Sequence, residues 1–316
     1  MQSSIAMAFE IMFPLAFQLA AGVFCRRRKL IGPEGIQQAN RLIFHLFLPL
    51  MIFCSIYHTD QTTLFSRRNL LLAALMAGIT LAIVLFSEGA QRLRGVPAAR
   101  RGVVTQGLYQ TNGVIFSLPI ITALCGAENL GPLSLLIMLL TPLDMALAVL
   151  VLSPIRGGAG DFRGLARQIL TNPPLLAAAA AFAAGGLGLR LPPVLDSTFT
   201  TLSAVTTPLA FVLLGASLST AGFRRHAGIL VRVSAVRLLL CPAAGLALCL
   251  ALGLRGAHAA TMLGLMGAPT AVSSFTLAQA YGGEADLAAE IVAATTLGSA
   301  LTMFCWVAGL NACGIL

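Results

Sequence analysis

Ten apolar runs, each about as long as a lipid bilayer is thick, follow one another along this chain of 316 residues. A membrane-spanning helix takes roughly 20 apolar residues. Only 10% of the residues are charged, whereas a soluble domain has about 25%. This excludes a water-soluble protein and predicts an all-α integral membrane protein with ten transmembrane helices. The predicted spans, one to ten, are 5–24, 37–58, 69–88, 102–125, 132–153, 168–188, 195–219, 227–253, 258–281 and 287–312.

The basic residues lie in short clusters between the apolar runs and predict the orientation of the chain. Cytoplasmic loops are enriched in Lys and Arg. With both termini on the non-cytoplasmic side, the inner loops hold thirteen basic residues and the outer loops hold four. Because this is a loop pattern, the net charge of +9 does not indicate nucleic-acid binding. The inner residues are Arg26, Arg27, Arg28, Lys29, Arg92, Arg94, Arg100, Arg101, Arg156, Arg163, Arg167, Arg224 and Arg225, and the outer ones are Arg67, Arg68, Arg190 and Arg255.

Two further features bear on the location of the protein. All but one of the 20 basic residues are Arg, which is typical of a GC-rich bacterial genome, so we expect a bacterial inner membrane. No basic residue precedes Arg26, so the first apolar run is expected to be a span and not a cleaved signal peptide.

Prolines within the runs indicate that the chain contains two copies of one unit. The sequence numbers of Pro14 and Pro173 differ by 159, as do those of Pro49 and Pro208, while those of Pro119 and Pro269 differ by 150. Each copy has five spans, and because five is odd, the second copy enters the membrane from the opposite side. This inverted repeat is common in secondary transporters. The predicted repeats are 1–155 and 165–316, joined by a loop near 156–164.

Spans four and nine carry polar residues and a proline near the middle of the membrane. Proline removes a backbone donor and clashes with the preceding turn, so both helices are predicted to break at Pro119 and Pro269, with Ser117 capping one second half. The free N–H groups and positive dipole ends would face the membrane centre and bind an anion, most simply a carboxylate. The candidate substrate-binding residues are Asn112, Gly113, Ser117, Pro119, Pro269, Thr270 and Ser273.

Charged residues inside the spans form the second signal, because an ionisable group there is costly and usually functional. Asp144 lies near the middle of span five and Arg237 near the middle of span eight. Two arrangements are expected as alternatives. In one, Asp144 and Arg237 form an ion pair, which is either functional or structural. In the other, Arg237 holds a substrate carboxylate while Asp144 titrates for coupling. Glu10 and Glu290 lie near span ends and are expected to be solvated.

The sequence contains no motif of a catalytic or nucleotide-binding site. HExxH, GxSxG and Walker-type glycine loops are absent, and the four histidines have no metal-ligand spacing. We therefore expect neither an enzyme nor a bound cofactor, although coupling to H⁺ or Na⁺ stays open.

Several stretches in order along the chain resemble the auxin efflux carrier family, which includes plant PIN transporters and bacterial malate and malonate carriers. The pattern from Pro269 to Tyr281 is the most similar, and Asn112 with Pro119 seven residues later matches the fourth-helix pattern. At Ser117 the family often has Gly, which puts the size of the site in question. The other stretches are Gly32–Gly35, Asn40–Arg41, Phe47–Pro49, Asn172–Pro173 and Pro208 to Leu218.

This resemblance implies a ten-helix inverted repeat like that of bile-acid/sodium symporters, with crossing broken helices four and nine. It also implies an elevator motion, in which a transport domain of spans three to five and eight to ten moves against a scaffold of spans one, two, six and seven. Substrate contacts are implied at Asn112, Pro119 and Pro269, and a homodimer through the scaffold is favoured.

These observations together predict a secondary transporter of small organic anions, such as malate, malonate or auxin-like acids, in the lipid bilayer. One alternative is a sodium-coupled symporter of the bile-acid type, although few acidic residues besides Asp144 lie deep enough to bind sodium. The other is a membrane-embedded enzyme, for which the chain offers only Asp144, His45 and Glu290 as titratable groups near the spans.

Overall fold

The computed structural model describes residues 4–58, 65–126, 129–152, 167, 170, 171, 173–217 and 220–312. Over these ranges the fold is all-helical, and its single β-type pairing is an isolated bridge. The predicted connection between the repeats, 156–164, lies outside the described residues. The helices are α1 (Ser4–Arg27), α2 (Pro33–Leu42), α3 (Leu48–Tyr57), α4 (Arg67–Leu93), α5 (Ala98–Tyr109), α6 (Leu118–Cys125), α7 (Gly131–Leu152), α8 (Pro173–Gly186), α9 (Pro193–Ser217), α10 (Thr220–Ala235), α11 (Cys241–Ala251), α12 (Ala257–Met266), α13 (Ser273–Tyr281) and α14 (Ala285–Ala312).

Long apolar helices confirm the membrane class of the fold. In the described ranges, five segments are long and apolar enough to cross a bilayer, namely Arg67–Leu93, Gly131–Leu152, Pro193–Ala216, Phe223–Ala251 and Ala285–Leu310. The other predicted spans contain α1, α8 and helices that are interrupted near their middle. The arrangement of ten spans across the membrane stays a prediction.

Three of the interruptions are π-helical turns, at Ile43–Phe47, Gly113–Ser117 and Val236–Leu240, and each one directly precedes a helix whose second residue is proline. Proline cannot donate to the carbonyl four residues back and its ring clashes with that carbonyl. A wider turn changes the hydrogen-bond register, so the helix continues past the proline instead of ending.

The prolines that are paired in the sequence do not share one local structure. Pro14 lies inside α1, whereas Pro173 is the first residue of α8. Pro49 follows a π-helical turn, whereas Pro208 lies within α9. A proline is accommodated differently at a helix start, after a π turn and in a helix interior, so the prolines alone are a poor guide to equivalent positions.

Helix ends, by contrast, recur with one constant offset along the chain. α1 ends at Arg27 and α8 at Gly186. Two residues later, Lys29 and Gly188 both have a left-handed backbone, with φ of 58° and 62°. Both helices close with the same set of backbone hydrogen bonds, the usual C-terminal motif. The starts of α5 and α12 are separated by the same offset as these two helix ends.

The helices α1, α3, α8 and α9 pack against one another, while α4, α5, α7 and α10 to α14 surround the middle of the molecule. The closest approach in the first group joins α1 and α9 at Gly22 and Gly215. A Cβ atom at Gly22 would lie 2.0 Å from the Val212 carbonyl oxygen, and one at Gly215 would lie 2.1 Å from that of Leu19. Only glycine permits this backbone contact.

Candidate functional site

The two broken helices cross each other at the centre of the molecule. α5 ends at Tyr109 and α12 ends at Met266, and the extended residues that follow them run antiparallel. The Asn112 N–H donates to the Pro269 carbonyl at 3.0 Å, and the Ala271 N–H donates to the Gln110 carbonyl at 3.0 Å. One pair of hydrogen bonds therefore joins the two interruptions. The two donors, Asn112 and Ala271, are separated by the same offset as the helix ends, and so are the two acceptors, Gln110 and Pro269.

The predicted position of the first break is wrong. Pro269 does lie in its break, but Pro119 is the second residue of α6, and the fourth predicted span is interrupted seven residues earlier, next to Asn112. The π-helical turn accommodates Pro119 within a helix. The break instead follows the end of α5, where the backbone pairs with the segment around Thr270. Ser117 does not cap a helix, because its hydroxyl donates to the Gly264 carbonyl at 2.9 Å.

The C-terminal ends of α5 and α12 carry partial negative charge, and three side chains satisfy their carbonyl groups. Thr111 Oγ1 donates to the Leu265 carbonyl at 2.7 Å, and Thr270 Oγ1 donates to the Gly107 carbonyl at 2.7 Å. Each threonine thus closes the half-helix that belongs to the other broken span.

Arg237, which is 1% exposed, supplies the remaining donors. It lies on the π-helical turn between α10 and α11, and its guanidinium reaches both half-helix ends. Nε donates to the Ala268 carbonyl at 3.0 Å, Nη1 donates to the Leu108 and Tyr109 carbonyls at 3.0 and 3.4 Å, and Nη2 donates to the Leu265 carbonyl at 3.4 Å. The positive charge of Arg237 therefore lies where both helix dipoles are negative.

The ion pair expected between Asp144 and Arg237 does not form, since the ion pairs of the described residues include none between them. The guanidinium of Arg237 is occupied by carbonyl oxygens. For the same reason, and because Arg237 is absent from the lining of the central cavity, the structure gives it no position to hold a substrate carboxylate.

A cavity of about 90 Å³ lies beside the crossing. Its lining includes Asn112, Gly113 and Ser273 of the crossing, together with residues of α3, α7 and α9. Gly113 begins the π-helical turn that leads into α6, and Ser273 begins α13. The first N–H groups of a helix have no partner inside it. Both half-helix N-terminal ends therefore line one cavity, with their positive dipole ends towards it.

The side chain of Asn112 is poised for a ligand. It is 6% exposed, and in the described part of the chain its Nδ2 atom has no hydrogen-bond acceptor. A buried donor without a partner costs about 1–3 kcal/mol, so such a group usually has a functional explanation. Its neighbour Gln110 differs, because its Nε2 atom donates to Ser273 Oγ at 3.1 Å and joins the two broken spans.

Ser117, Pro269 and Thr270 do not line the cavity. Ser117 and Thr270 are fully buried and point to backbone carbonyls. Pro269 contributes its carbonyl to the crossing. Of Pro119 the structure describes the backbone but not the side-chain surroundings.

The sequence analysis missed several polar residues that line the cavity: Gln110, Thr141, Thr206 and Thr207. A signal for most of them was present. Thr141 precedes Pro142, and Thr206 and Thr207 precede Pro208, so each is a polar residue beside a proline within an apolar run. The same criterion singled out the residues of spans four and nine.

The expectation that Glu290 is solvated is wrong. Glu290 is 1% exposed, and its Oε2 atom lies 2.7 Å from Nδ1 of His226 on α10. The sequence places Glu290 only five residues inside α14, but α10 packs against that end and covers it. His226 was missed because it lies on a helix that is distant in sequence.

A comparison with protein-family models adds the family to this geometry. A model described as "Membrane transport protein" matches residues 7–159 and 163–307, nearly the whole chain. The chain belongs to the auxin efflux carrier family of membrane transport proteins. No match was found among the curated proteins. Family membership makes the protein a multi-pass membrane transporter, and this confirms the coarser part of the functional prediction.

Proposed function

We propose that this transporter carries small organic anions, such as malate, malonate or auxin-like acids, as a secondary transporter. The observation that carries the proposal is that two half-helix N-terminal ends, at Gly113 and Ser273, line one cavity together with Asn112, whose Nδ2 atom has no hydrogen-bond partner among the described residues. A carboxylate accepts hydrogen bonds from all three groups and is stabilised by both helix dipoles.

The electrostatics of the crossing favour an anion at this position. The negative, C-terminal ends of α5 and α12 accept hydrogen bonds from Thr111, Thr270 and Arg237, which leaves the positive ends of the half-helices that follow to attract an anion. In the apolar interior of a membrane, a polar group without a partner is costly. The volume of about 90 Å³ suits a small acid better than a bile acid.

The fold plan is part of the same proposal: two five-helix inverted repeats, 1–155 and 165–316, with crossing spans four and nine. It is supported by the constant offset that relates Arg27 to Gly186 and recurs at the left-handed residues and in the hydrogen bonds of the crossing. Two antiparallel, equivalent segments that pair with each other are the expected result of an internal two-fold axis lying in the membrane plane.

The mechanism that we propose is an elevator, with a scaffold of spans one, two, six and seven. This is supported by the position of the cavity, since its lining includes residues of α3 and α9 from the proposed scaffold and residues of the crossing and α7 from the proposed transport domain. We further propose a bacterial inner membrane, both termini on the non-cytoplasmic side, and a homodimer formed through the scaffold.

Sodium coupling of the bile-acid type is the less favoured alternative. Carbonyl oxygens at the C-terminal ends of broken helices are the groups that coordinate Na⁺ in such transporters. Here the carbonyls of Leu108, Leu265 and Ala268 already accept hydrogen bonds from Arg237. A fixed guanidinium repels a second cation at the same place.

The proposal is tested by uptake into proteoliposomes that contain the purified protein. Labelled malate, malonate, succinate, indole acetate and a bile acid are compared, each with and without a proton or sodium gradient. Uptake of small carboxylates is the expected result. If folded protein takes up none of them, the assignment to organic anions is wrong, and uptake of the bile acid alone would favour the symporter alternative.

A further inference from the structure

The carboxyl group of Asp144 has no function in the structure described so far. Asp144 lies on α7, is 8% exposed, and lines the same cavity as Asn112, Gly113 and Ser273. Among the described residues its side chain takes part in no hydrogen bond and no ion pair, whereas its backbone carbonyl accepts a hydrogen bond from the Tyr109 hydroxyl at 3.3 Å.

The surroundings of Asp144 do not provide a partner for its carboxyl oxygens. The neighbouring part of the cavity wall consists mainly of Ile137, Leu140 and Met145. The buried cation nearest in the fold, Arg237, has its donors on backbone carbonyls. A carboxyl group in apolar surroundings is costly unless something donates to it, so a ligand that brings a donor into the cavity would be stabilised there.

The cavity lining therefore offers two chemically opposite kinds of group. The crossing offers N–H donors and the amide of Asn112, which suit a carboxylate. The α7 wall offers the carboxyl oxygens of Asp144, which suit a donor. A simple carboxylate satisfies the first kind only, and its apolar remainder leaves Asp144 without a hydrogen bond.

We propose that Asp144 is a specificity-determining residue that accepts a hydrogen bond from the substrate. The preferred substrate class is then a small carboxylate that carries a second, hydrogen-bond-donating group, a hydroxyl or an ammonium group, close to the carboxylate. The assignment rests on the proposed function, because it takes the crossing as the place where the carboxylate binds.

Two series of acids of nearly equal shape test this assignment in proteoliposomes. Succinate, malate and aspartate differ at one carbon by hydrogen, hydroxyl and ammonium, and propionate, lactate and alanine differ in the same way. Wild-type protein is expected to take up at least one donor-bearing acid with about tenfold or greater kcat/KM than the plain acid, since a hydrogen bond to a charged group contributes about 1.5–3 kcal/mol.

Variants of Asp144 separate the two possible donors. Asp144→Leu removes the acceptor and is expected to bring the ratio of donor-bearing to plain acid close to one, while uptake of the plain acid is retained. Asp144→Asn keeps a carbonyl acceptor without charge, so a preference for hydroxyl is expected to survive in part and a preference for ammonium to be lost. Asp286→Asn, an exposed acid at the start of α14, serves as the control with the wild-type ratio.

The outcomes are distinct from those for the proposed function. Equal uptake of all three acids of a series by wild-type protein, or an unchanged ratio in Asp144→Leu, overturns the assignment of Asp144 but leaves carboxylate transport intact. Absence of uptake of all six acids, and also of malonate and indole acetate, by folded protein overturns both. If Asp144→Leu does not fold, Asp144→Asn is the deciding variant. Partial loss of the preference indicates a hydroxyl donor and complete loss indicates an ammonium donor, whereas an unchanged ratio overturns the assignment.

Discussion

Thr111 and Thr270 face each other in an antiparallel bridge. Each hydroxyl donates at 2.7 Å to a carbonyl near the C-terminal end of the first half-helix of the other broken span, α12 for Thr111 and α5 for Thr270. The two interrupted helices are thereby joined through backbone and side chains alike. The half-helix N-terminal ends that follow the bridge are held by the same contacts, which fix the shape of a site that they form.

The first prediction concerns the amide of Asn112. Asn112→Ala removes the free Nδ2 donor and is expected to lower kcat/KM for carboxylate uptake by about 10- to 100-fold, the effect of losing a hydrogen bond to a charged group. The protein is expected to fold, because that donor has no partner in the described structure. Asn129→Ala, at an exposed position, is the matched control. Near-normal uptake by Asn112→Ala would remove Asn112 from the site.

How far the sequence predicts this molecule depends on the range of the contacts involved. Hydropathy locates the apolar helices, and polar residues within apolar runs that contain a proline point to Asn112 and Ser273, because both signals are local. The position of the break depends on where two distant segments pair, so Pro119 was a misleading guide.

The role of Arg237 could not be predicted for the same reason. It depends on the meeting of the ends of α5 and α12, which lie far apart in sequence. Local periodicity also cannot show that a helix packed in three dimensions covers a charged group, as α10 does for Glu290.

Arg237 is expected to be required for the stability of the crossing. Arg237→Leu leaves several buried carbonyls without a donor, at about 1–3 kcal/mol for each one that finds no other partner. We expect a lowered Tm in detergent and loss of uptake. Arg237→Lys keeps the charge but not the planar array of donors and should give an intermediate Tm. Arg232→Leu, at an exposed position on α10, is the control. A wild-type Tm for Arg237→Leu would contradict this role.

Carboxylate uptake is expected to be independent of sodium. The carbonyl groups that would coordinate the ion are hydrogen-bonded to Arg237. Uptake is measured with an inward sodium gradient and, at the same membrane potential, with an inward choline gradient. Equal rates are the expected result, and a sodium-dependent increase would restore the symporter alternative.

The close contact of α1 with α9 predicts a strong effect of one methyl group. In Gly215→Ala the new Cβ would lie 2.1 Å from the Leu19 carbonyl oxygen, so the two helices would have to separate. Overpacking of this kind costs about 1–3 kcal/mol or more, and a lower Tm is expected. Gly78→Ala, on α4, meets no atom within 4 Å and should keep or raise the Tm, since Ala favours a helix by about 1 kcal/mol. Equal behaviour of the two variants would refute the contact.

The last prediction tests the elevator through a contact between the proposed scaffold and transport domains. Asn40 on α2 is hydrogen-bonded to Gln279 and accepts from Thr276 Oγ1 at 3.3 Å, both on α13. If α13 moves against α2, these bonds break in each cycle. In a cysteine-free background, we expect that cross-linking Asn40→Cys to Thr276→Cys arrests uptake and that a reductant restores it.

The control for this experiment is a pair within one domain. The hydroxyls of Ser87 on α4 and Thr105 on α5 lie 2.8 Å apart, and both helices belong to the proposed transport domain. Cross-linking Ser87→Cys to Thr105→Cys should therefore leave uptake unaffected, since an elevator moves that domain as a unit. Continued uptake by the Asn40–Thr276 cross-linked protein would show that α2 and α13 do not separate during transport. The proposed elevator, with this division into scaffold and transport domain, would then be wrong.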